Sequence, residues 1–486
     1  MSLKKDTLAG VKWSAIERFS VHGIHFLIGI ILARLLSPKD FGTVAMVSIF
    51  YSLSRAFIHS GFQSALIRKE DRKEVDFCTV FYFNMAVSCL CYVILFLIAP
   101  WVADFFHTPI LCPILRIQSA SLIINAFGAV QVTRFTININ FKGLAKRAML
   151  ASVISGIVGV VLAYIGFGVW ALVIQNMASS VMNMLLVWFY SDWRPKLMFS
   201  WKSFREMFSF GYKLLLTGFL RTLFSNLTPM VIGRYFSSGD LGLYARGTRF
   251  AKFPNENING VIERVTFPVM AKIQSDKKRL IQIYRKYICV MSLCIFFACT
   301  LLAAISKPFI LFLLTEKWAM SIVFLQIYCF YTMFEHVCTI NLNLLKVIGR
   351  SDLFLRLEII KKIIAVIFLF AAIPFGVVGI CVSKVINMQV AIFINTYYTG
   401  KLFKLGYIEQ IKDFSGFFFL SLIACLPAYL FTFLNLNSVL TMLFGIISAT
   451  TLYWLMLRKN PYMKEVLNII NDHLPKKFRK KVKKGI

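Results

Sequence analysis

Residues 31–42 read ILARLLSPKDFG, and residues 231–242 read VIGRYFSSGDLG. With an offset of 200 residues, Arg34 falls on Arg234, Ser37 on Ser237, Asp40 on Asp240 and Gly42 on Gly242. Ile31 pairs with Val231 and Phe41 with Leu241, so the apolar positions keep step as well. Both copies stand where one long apolar run ends and the next begins, which marks the chain as two structural repeats. Each copy reads as a helical corner. Arg34 and Arg234 sit in a last turn, where a cation suits the helix dipole and its long stem can reach outward. Pro38 ends the first helix, and Asp40 and Asp240 are expected to be the N-caps of the next.

Around these corners the chain is strongly apolar. Of its 486 residues 58% are hydrophobic and 16% charged, against about 45–50% and about 25% in an average soluble domain. Apolar runs of about 20 residues, the length that crosses a bilayer, recur from end to end. They predict fourteen spans, at 13–36, 41–67, 77–100, 110–137, 148–166, 168–190, 212–236, 244–271, 283–305, 317–345, 354–374, 376–399, 415–434 and 437–457. The first run is too long for a cleavable signal peptide and leads straight into further spans.

Charge then orients them. Of the 54 Lys and Arg residues, 33 fall in alternate connectors and the C-terminal tail, two in the opposite connectors and 19 within the span bounds. By the positive-inside rule both termini are cytoplasmic and the number of crossings is even. Spans 1 and 7 then start on the same side, so the repeats are parallel, about an axis along the membrane normal. The expected fold is an all-α polytopic membrane protein of two six-helix bundles, 1–190 and 212–400. A cytoplasmic amphipathic linker, 191–211, joins them, and two extra helices, 401–457, precede a basic cytoplasmic tail, 458–486. Within the linker, Phe199–Phe210 puts Trp201, Phe204 and Phe208 on one face and Lys202, Arg205 and Glu206 on another, the pattern of a helix lying on the membrane. The tail LPKKFRKKVKKGI suits anionic headgroups.

The net charge of +32 resembles a nucleic-acid footprint. The basic residues are interleaved between apolar spans instead of gathered on a soluble face, so no nucleic-acid partner is expected. The 11 cysteines form no CxxC pair and no Cys/His cluster with metal spacing; they read as small apolar helix residues. No metal or cofactor is expected.

Charges inside a bilayer are costly and by default face a cavity or a partner. Arg18, His22 and His25 share one face of span 1, with Glu17 beside them, and Ser48, Ser52, Arg55 and His59 form a stripe on span 2. Span 7 carries Arg221, Ser225 and Thr228. Span 8 carries Arg249, Lys252, Asn255, Glu256, Asn259, Glu263 and Arg264, interrupted by Pro254. Cations outnumber acids in these four spans, and guanidinium groups hold phosphate oxygens bidentately, so Arg18, Arg55, Arg221, Arg249 and Lys252 are candidates for binding an anion. Packing among themselves is the alternative, and it has most weight for Arg264 beside Glu263. His22, His25 and His59 are either packing groups or ligand contacts. Glu335 in span 10 and Glu256 are either ion-coupling sites or hydrogen-bonded helix contacts. Under the 200-residue offset Arg18 and Arg55 correspond to Gly218 and Asn255, so the corners repeat and the charges do not. Exterior connectors are short, with isolated acids such as Asp104 and Asp240, and no phosphate loop, HExxH or GxSxG motif occurs.

The stretches ARLLSPKDFGTVAM (33–46), GFQSALIRKED (61–71) and YARGTRFAKFP (244–254) resemble the polysaccharide exporters and Wzx-type flippases. That family belongs with MATE exporters and lipid II flippases in the MOP superfamily. The resemblance implies a non-enzymatic transporter of the bacterial inner membrane that flips an undecaprenyl-pyrophosphate-linked oligosaccharide by alternating access. Its implied partners are that lipid, the surrounding membrane lipids, H⁺ or Na⁺ if transport is coupled, and polysaccharide assembly proteins. It also implies cationic cavity residues in spans 1, 2 and 8, where Arg18, Arg55 and Arg249 stand. Spans 13–14 would match the two extra helices that form a lipid groove in lipid II flippases. A cation-coupled drug exporter of the same fold would require an acidic pocket. A membrane-embedded polymerase or ligase would require catalytic residues in a sizeable exterior loop.

Overall fold

The computed structural model describes residues 3–59, 61–138, 141–434 and 437–463. They form seventeen α-helices, with no strand among the described residues. In order these are α1 Leu3–Leu35, α2 Pro38–His59, α3 Phe62–Arg68, α4 Glu74–Phe105, α5 Leu111–Ile137, α6 Phe141–Tyr164, α7 Val169–Tyr190, α8 Trp201–Tyr235 and α9 Ser238–Lys272. Then follow α10 Lys277–Ala304, α11 Ser306–Leu314, α12 Ser321–Thr332, α13 Glu335–Val347, α14 Ser351–Ala371, α15 Gly376–Phe403, α16 Tyr407–Leu430 and α17 Ser438–Leu457. Every expected span falls on one of these helices or on a consecutive pair, α2–α3 or α12–α13. Among the described residues eleven helical stretches are long and apolar enough to cross a membrane. The chain is a multi-pass membrane protein. The three expected spans outside that set are α1, α9 and α14, and each carries charge along its length.

Contacts divide the chain into two compact units, Met1–Gly242 and Leu243–Ile486. In the first, α6 packs on α1 and α7, α4 on α5, and α2 on α8. In the second, α10 packs on α16, α16 on α17, and α15 on α12, α13 and α14. Tyr453 of α17 donates to the Leu293 carbonyl of α10 (2.8 Å), and Phe297 stacks on its ring at 4.4 Å, so the two C-terminal helices are tied to α10.

The repeated corner is built differently from expectation. The N-caps are Ser37 and Ser237, and Asp40 and Asp240 stand three residues further on. The Ser37 hydroxyl accepts from the Asp40 amide (3.3 Å), while the Asp40 carboxylate accepts from the Ser37 amide (2.9 Å) and hydroxyl (2.6 Å). Ser237 and Asp240 repeat all three bonds, at 3.0, 3.1 and 2.7 Å. This is a capping box with Asp in the third position, which satisfies two orphan donors at once. Pro38 is the first residue of α2, where its missing amide costs nothing. Arg34 and Arg234 do stand in last turns. Arg234 also donates to the Phe105 carbonyl at the end of α4 (2.8 Å).

The two corners meet. A Cβ on Gly42 would lie 1.6 Å from the Ser238 carbonyl oxygen, and one on Gly242 would lie 1.9 Å from that of Pro38. These contacts are reciprocal under the 200-residue offset, so the first turns of α2 and α9 cross backbone to backbone, which only glycine permits.

The linker differs as well. Phe199–Phe210 does not form a separate helix on the membrane, because α8 starts at Trp201 and runs unbroken to Tyr235. Its aromatic face is shared, with Phe204 packed on protein while Trp201 and Phe208 stay exposed. Phe204 and Phe208 stack at 5.5 Å, and their rings lie 5.7 and 6.2 Å from Phe62 of α3. Gly61 and Gly211 lie so close that a Cβ on Gly61 would meet the Gly211 oxygen at 2.5 Å. With no proline before Pro229, nothing interrupts the helix between the linker and the seventh expected span. The basic tail lies outside the described residues.

Gly42→Ala and Gly242→Ala should each cost about 1–3 kcal/mol through overpacking, read as a lower midpoint of thermal unfolding in detergent. Gly416→Ala, where a Cβ meets nothing within 4 Å, should not lower it. Equal melting of all three variants would contradict the backbone crossing.

Candidate substrate-binding site

In the first unit the site rests on the antiparallel pair α2 and α8. From the corner downward, Met46 meets Gly233, Ser52 accepts a hydrogen bond from Asn226 (3.1 Å), the rings of Phe57 and Phe219 lie 4.8 Å apart, and Gly61 meets Gly211. That register sets Arg55 level with Arg221. Both side chains are exposed, and neither guanidinium has a hydrogen bond or ion pair with any described residue. Two guanidinium groups at one level, exposed and without a described partner, are suited in chemistry to a phosphate. Nearby polar groups are internally satisfied. Asn125 of α5 donates to Tyr51 of α2 (3.0 Å) and Ser180 of α7 (3.2 Å), which closes the junction of those helices.

The histidines of α1 separate. His25 Nε2 lies 3.2 Å from the Ser152 hydroxyl of α6, so this ring helps to hold α1 on α6, while His22 is exposed. Arg18 lies in α1 and His59 ends α2, and the side chains of both lie outside the described residues. Those of Asn259, Glu263 and Arg264 do too.

In the second unit, α9 explains the YARGTRFAKFP stretch. Tyr244, Thr248, Ala251 and Asn255 form its buried face. A Cβ on Gly247 would lie 2.7 Å from the Ser321 oxygen, so glycine lets α9 approach the start of α12. Arg246 is buried, with its guanidinium 5.4 Å from the Trp318 ring centroid, a packed cation–π contact. Arg249 and Glu256 are exposed, and Lys252 is half-buried. The span containing α12 and α13 is broken at Met333–Phe334, and Glu335 is the first residue of α13, where the helix dipole favours a carboxylate. Asn255 of α9 donates to that carboxylate. The hydrogen-bonded alternative for Glu335 is therefore realised. Asn255, the repeat counterpart of Arg55, serves a protein partner while Arg55 serves none.

Lys384, within the apolar helix α15, has no counterpart in the sequence-based site. An ammonium in the apolar body of α15, well before Lys401 in its last turn, is itself the signal that marks it. Among the described residues no group of three His, Cys, Asp or Glu could hold a metal ion.

The fold is that of a polytopic all-α membrane protein. The backbone is similar to the solved structure of the lipid II flippase MurJ in an inward closed conformation, with a TM-score of 0.71 and 16% identity, covering 92% of this chain and 99% of that one. In sequence the chain is 26% identical over 315 residues to the succinoglycan biosynthesis transport protein ExoT of Rhizobium meliloti, spanning 65% of this chain and 64% of that protein. It is 24% identical over 418 residues to the lipopolysaccharide biosynthesis protein WzxC of Escherichia coli, spanning 86% and 83%. Residues 31–323 match the family model described as polysaccharide biosynthesis protein, and the chain belongs to that family. The match begins at Ile31, the first residue of the repeated corner.

Arg55→Ala and Arg221→Ala should leave thermal stability within about 0.5 kcal/mol of the parent, as for surface changes that break no contact. Asn226→Ala, which removes the bond to Ser52, should cost about 1 kcal/mol. A large loss of stability in either arginine variant would show those groups to be packing residues.

Proposed function

We propose that this protein carries a polyprenyl-pyrophosphate-linked oligosaccharide, with undecaprenyl as the carrier, from the cytoplasmic to the outer leaflet of the bacterial inner membrane by alternating access. The observation that carries the proposal is the level pair Arg55 and Arg221, exposed and without a described partner, in a member of a polysaccharide biosynthesis family. A pyrophosphate cannot enter hydrocarbon with its charge bare, and guanidinium groups replace its water with directed hydrogen bonds. Arg18, His22 and His59 are further candidates of the first unit, where His25 is engaged by Ser152, and Arg249 and Lys252 are candidates of the second. The names of ExoT, a transport protein for succinoglycan biosynthesis, and WzxC, a lipopolysaccharide biosynthesis protein, support a surface-polysaccharide substrate.

The proposal includes fourteen crossings with both termini in the cytoplasm, where the basic tail meets anionic lipid. It places polysaccharide assembly proteins among the partners. Transport against a gradient requires a coupled ion, H⁺ or Na⁺, and Glu335 and Glu256 are the carboxylates available to it. Cationic stripes disfavour the drug-exporter alternative, and the short exterior connectors disfavour a polymerase or ligase.

In cells lacking the native gene, Arg55→Ala and Arg221→Ala proteins should insert normally yet fail to restore surface polysaccharide. Proteoliposomes should flip a fluorescent undecaprenyl-pyrophosphate oligosaccharide with the parent protein and about tenfold or more slowly with either variant, a loss of about 1.4 kcal/mol. Normal polymer in both variants would remove the arginines from the site.

A further inference from the structure

Lys252 and Lys384 stand at the two ends of a tyrosine pair. Lys252 Nζ lies 5.6 Å from the ring centroid of Tyr328, and Lys384 Nζ lies 5.8 Å from that of Tyr331. The two rings, one turn apart on α12, are 4.8 Å from each other. Each ammonium thus sits by a π-face, with no ion pair to a described carboxylate. Glu335, four residues beyond Tyr331 and across the break in the span, is near enough to both lysines for their charges to act on one another. Helices α9 and α15 bring the two lysines to the tyrosines of α12 and to Glu335 at the start of α13, and Asn255 of α9 holds that carboxylate in place.

The charges do not cancel: Lys252, Lys384 and Lys362 act on the cluster against the carboxylates of Glu335 and Glu256, so cations outnumber acids. Cation–π contacts stabilise an ammonium without neutralising it, so the cluster keeps a net positive charge inside a membrane-spanning unit, an arrangement that is costly unless it serves a ligand. We propose that Lys252 and Lys384, bracketing Tyr328 and Tyr331, form a second anion subsite that takes the pyrophosphate during its passage, with Glu335 as the resident counter-ion that the pyrophosphate displaces. Lys384 is thereby a substrate-binding residue and Glu335 a competitor of the substrate. The inference rests on the flippase reading above. It gives the second unit a binding role of its own and makes Glu335 the group that keeps the subsite from holding its cargo too tightly.

The test uses the full chain in detergent, with inorganic pyrophosphate titrated calorimetrically. Lys384→Met should weaken binding about tenfold or more, a change of about 1.4 kcal/mol, and Lys384→Arg should retain it. Glu335→Gln should bind pyrophosphate several-fold more tightly, a gain that a purely structural carboxylate cannot produce. Unchanged affinity in Lys384→Met, or unchanged or weaker affinity in Glu335→Gln, overturns the subsite while leaving the flippase reading in place. Should Lys384→Met fail to fold, Lys384→Arg and Glu335→Gln carry the same decision. Phosphatidylglycerol added as competitor should leave pyrophosphate binding intact; displacement in the parent would make the cluster a phospholipid headgroup site and overturn the assignment. Failure of the parent to bind either inorganic pyrophosphate or undecaprenyl pyrophosphate would instead overturn the flippase reading itself.

Discussion

Everything in the first unit hangs from the backbone crossing of Gly42 and Gly242. Lipid offers no hydrophobic drive between helices, so association depends on close packing and on satisfied polar groups. The crossing supplies the first through two glycines and the second through twin Ser-Asp capping boxes. With the start of α2 pinned there, the helix can descend beside α8 in only one register. The Ser52–Asn226 bond, the Phe57–Phe219 contact and the Gly61–Gly211 approach are successive steps of that register. Arg55 and Arg221 come level because of it.

The two units treat intramembrane charge in different ways. In the first, some polar groups are tied to one another, as in the junction of Tyr51, Asn125 and Ser180, while the buried amides of Asn84 and Gln131 have no hydrogen-bond partner among the described residues. In the second, the charges are held close. Arg246 lies over Trp318, Lys252 and Lys384 lie by tyrosines, and Glu335 is bonded to Asn255. One group of buried polar side chains is closely paired. Asn341, Thr399 and Gln410 join α13, α15 and α16 through bonds of 2.8–3.1 Å. Such a network fixes one arrangement of helices, because any slip would strand a polar group in an apolar surround.

Most of the fold was legible in the chain, and the misses have local causes. Ser37 and Asp40 both carry capping chemistry. Only the backbone decides which of them precedes the first helical turn, so the N-cap moved by three residues. Phe199–Phe210 has the amphipathic pattern of a surface helix, but periodicity cannot say whether an aromatic face meets lipid or Phe62 and Phe83. His25 shares a stripe with His22, yet Ser152 on α6 claims it and leaves His22 exposed. Lys384 was visible as a charge in an apolar run and gained a role only when Tyr331 and Glu335 were found beside it.

By itself, the sequence determined that this is a membrane protein of two repeats, where its helices lie and which connectors carry the positive charge. Hydropathy, charge bias and a repeated corner are properties of short segments and need no partner to be read. Tertiary structure alone decided which of the many intramembrane polar groups are spent on the protein and which stay open. Asn255 meets Glu335 across 80 positions and His25 meets Ser152 across 127, while Arg55 meets no described partner at all. Pairing is a relation between helices, so which charges lack a described partner becomes visible only once the helices have been brought together.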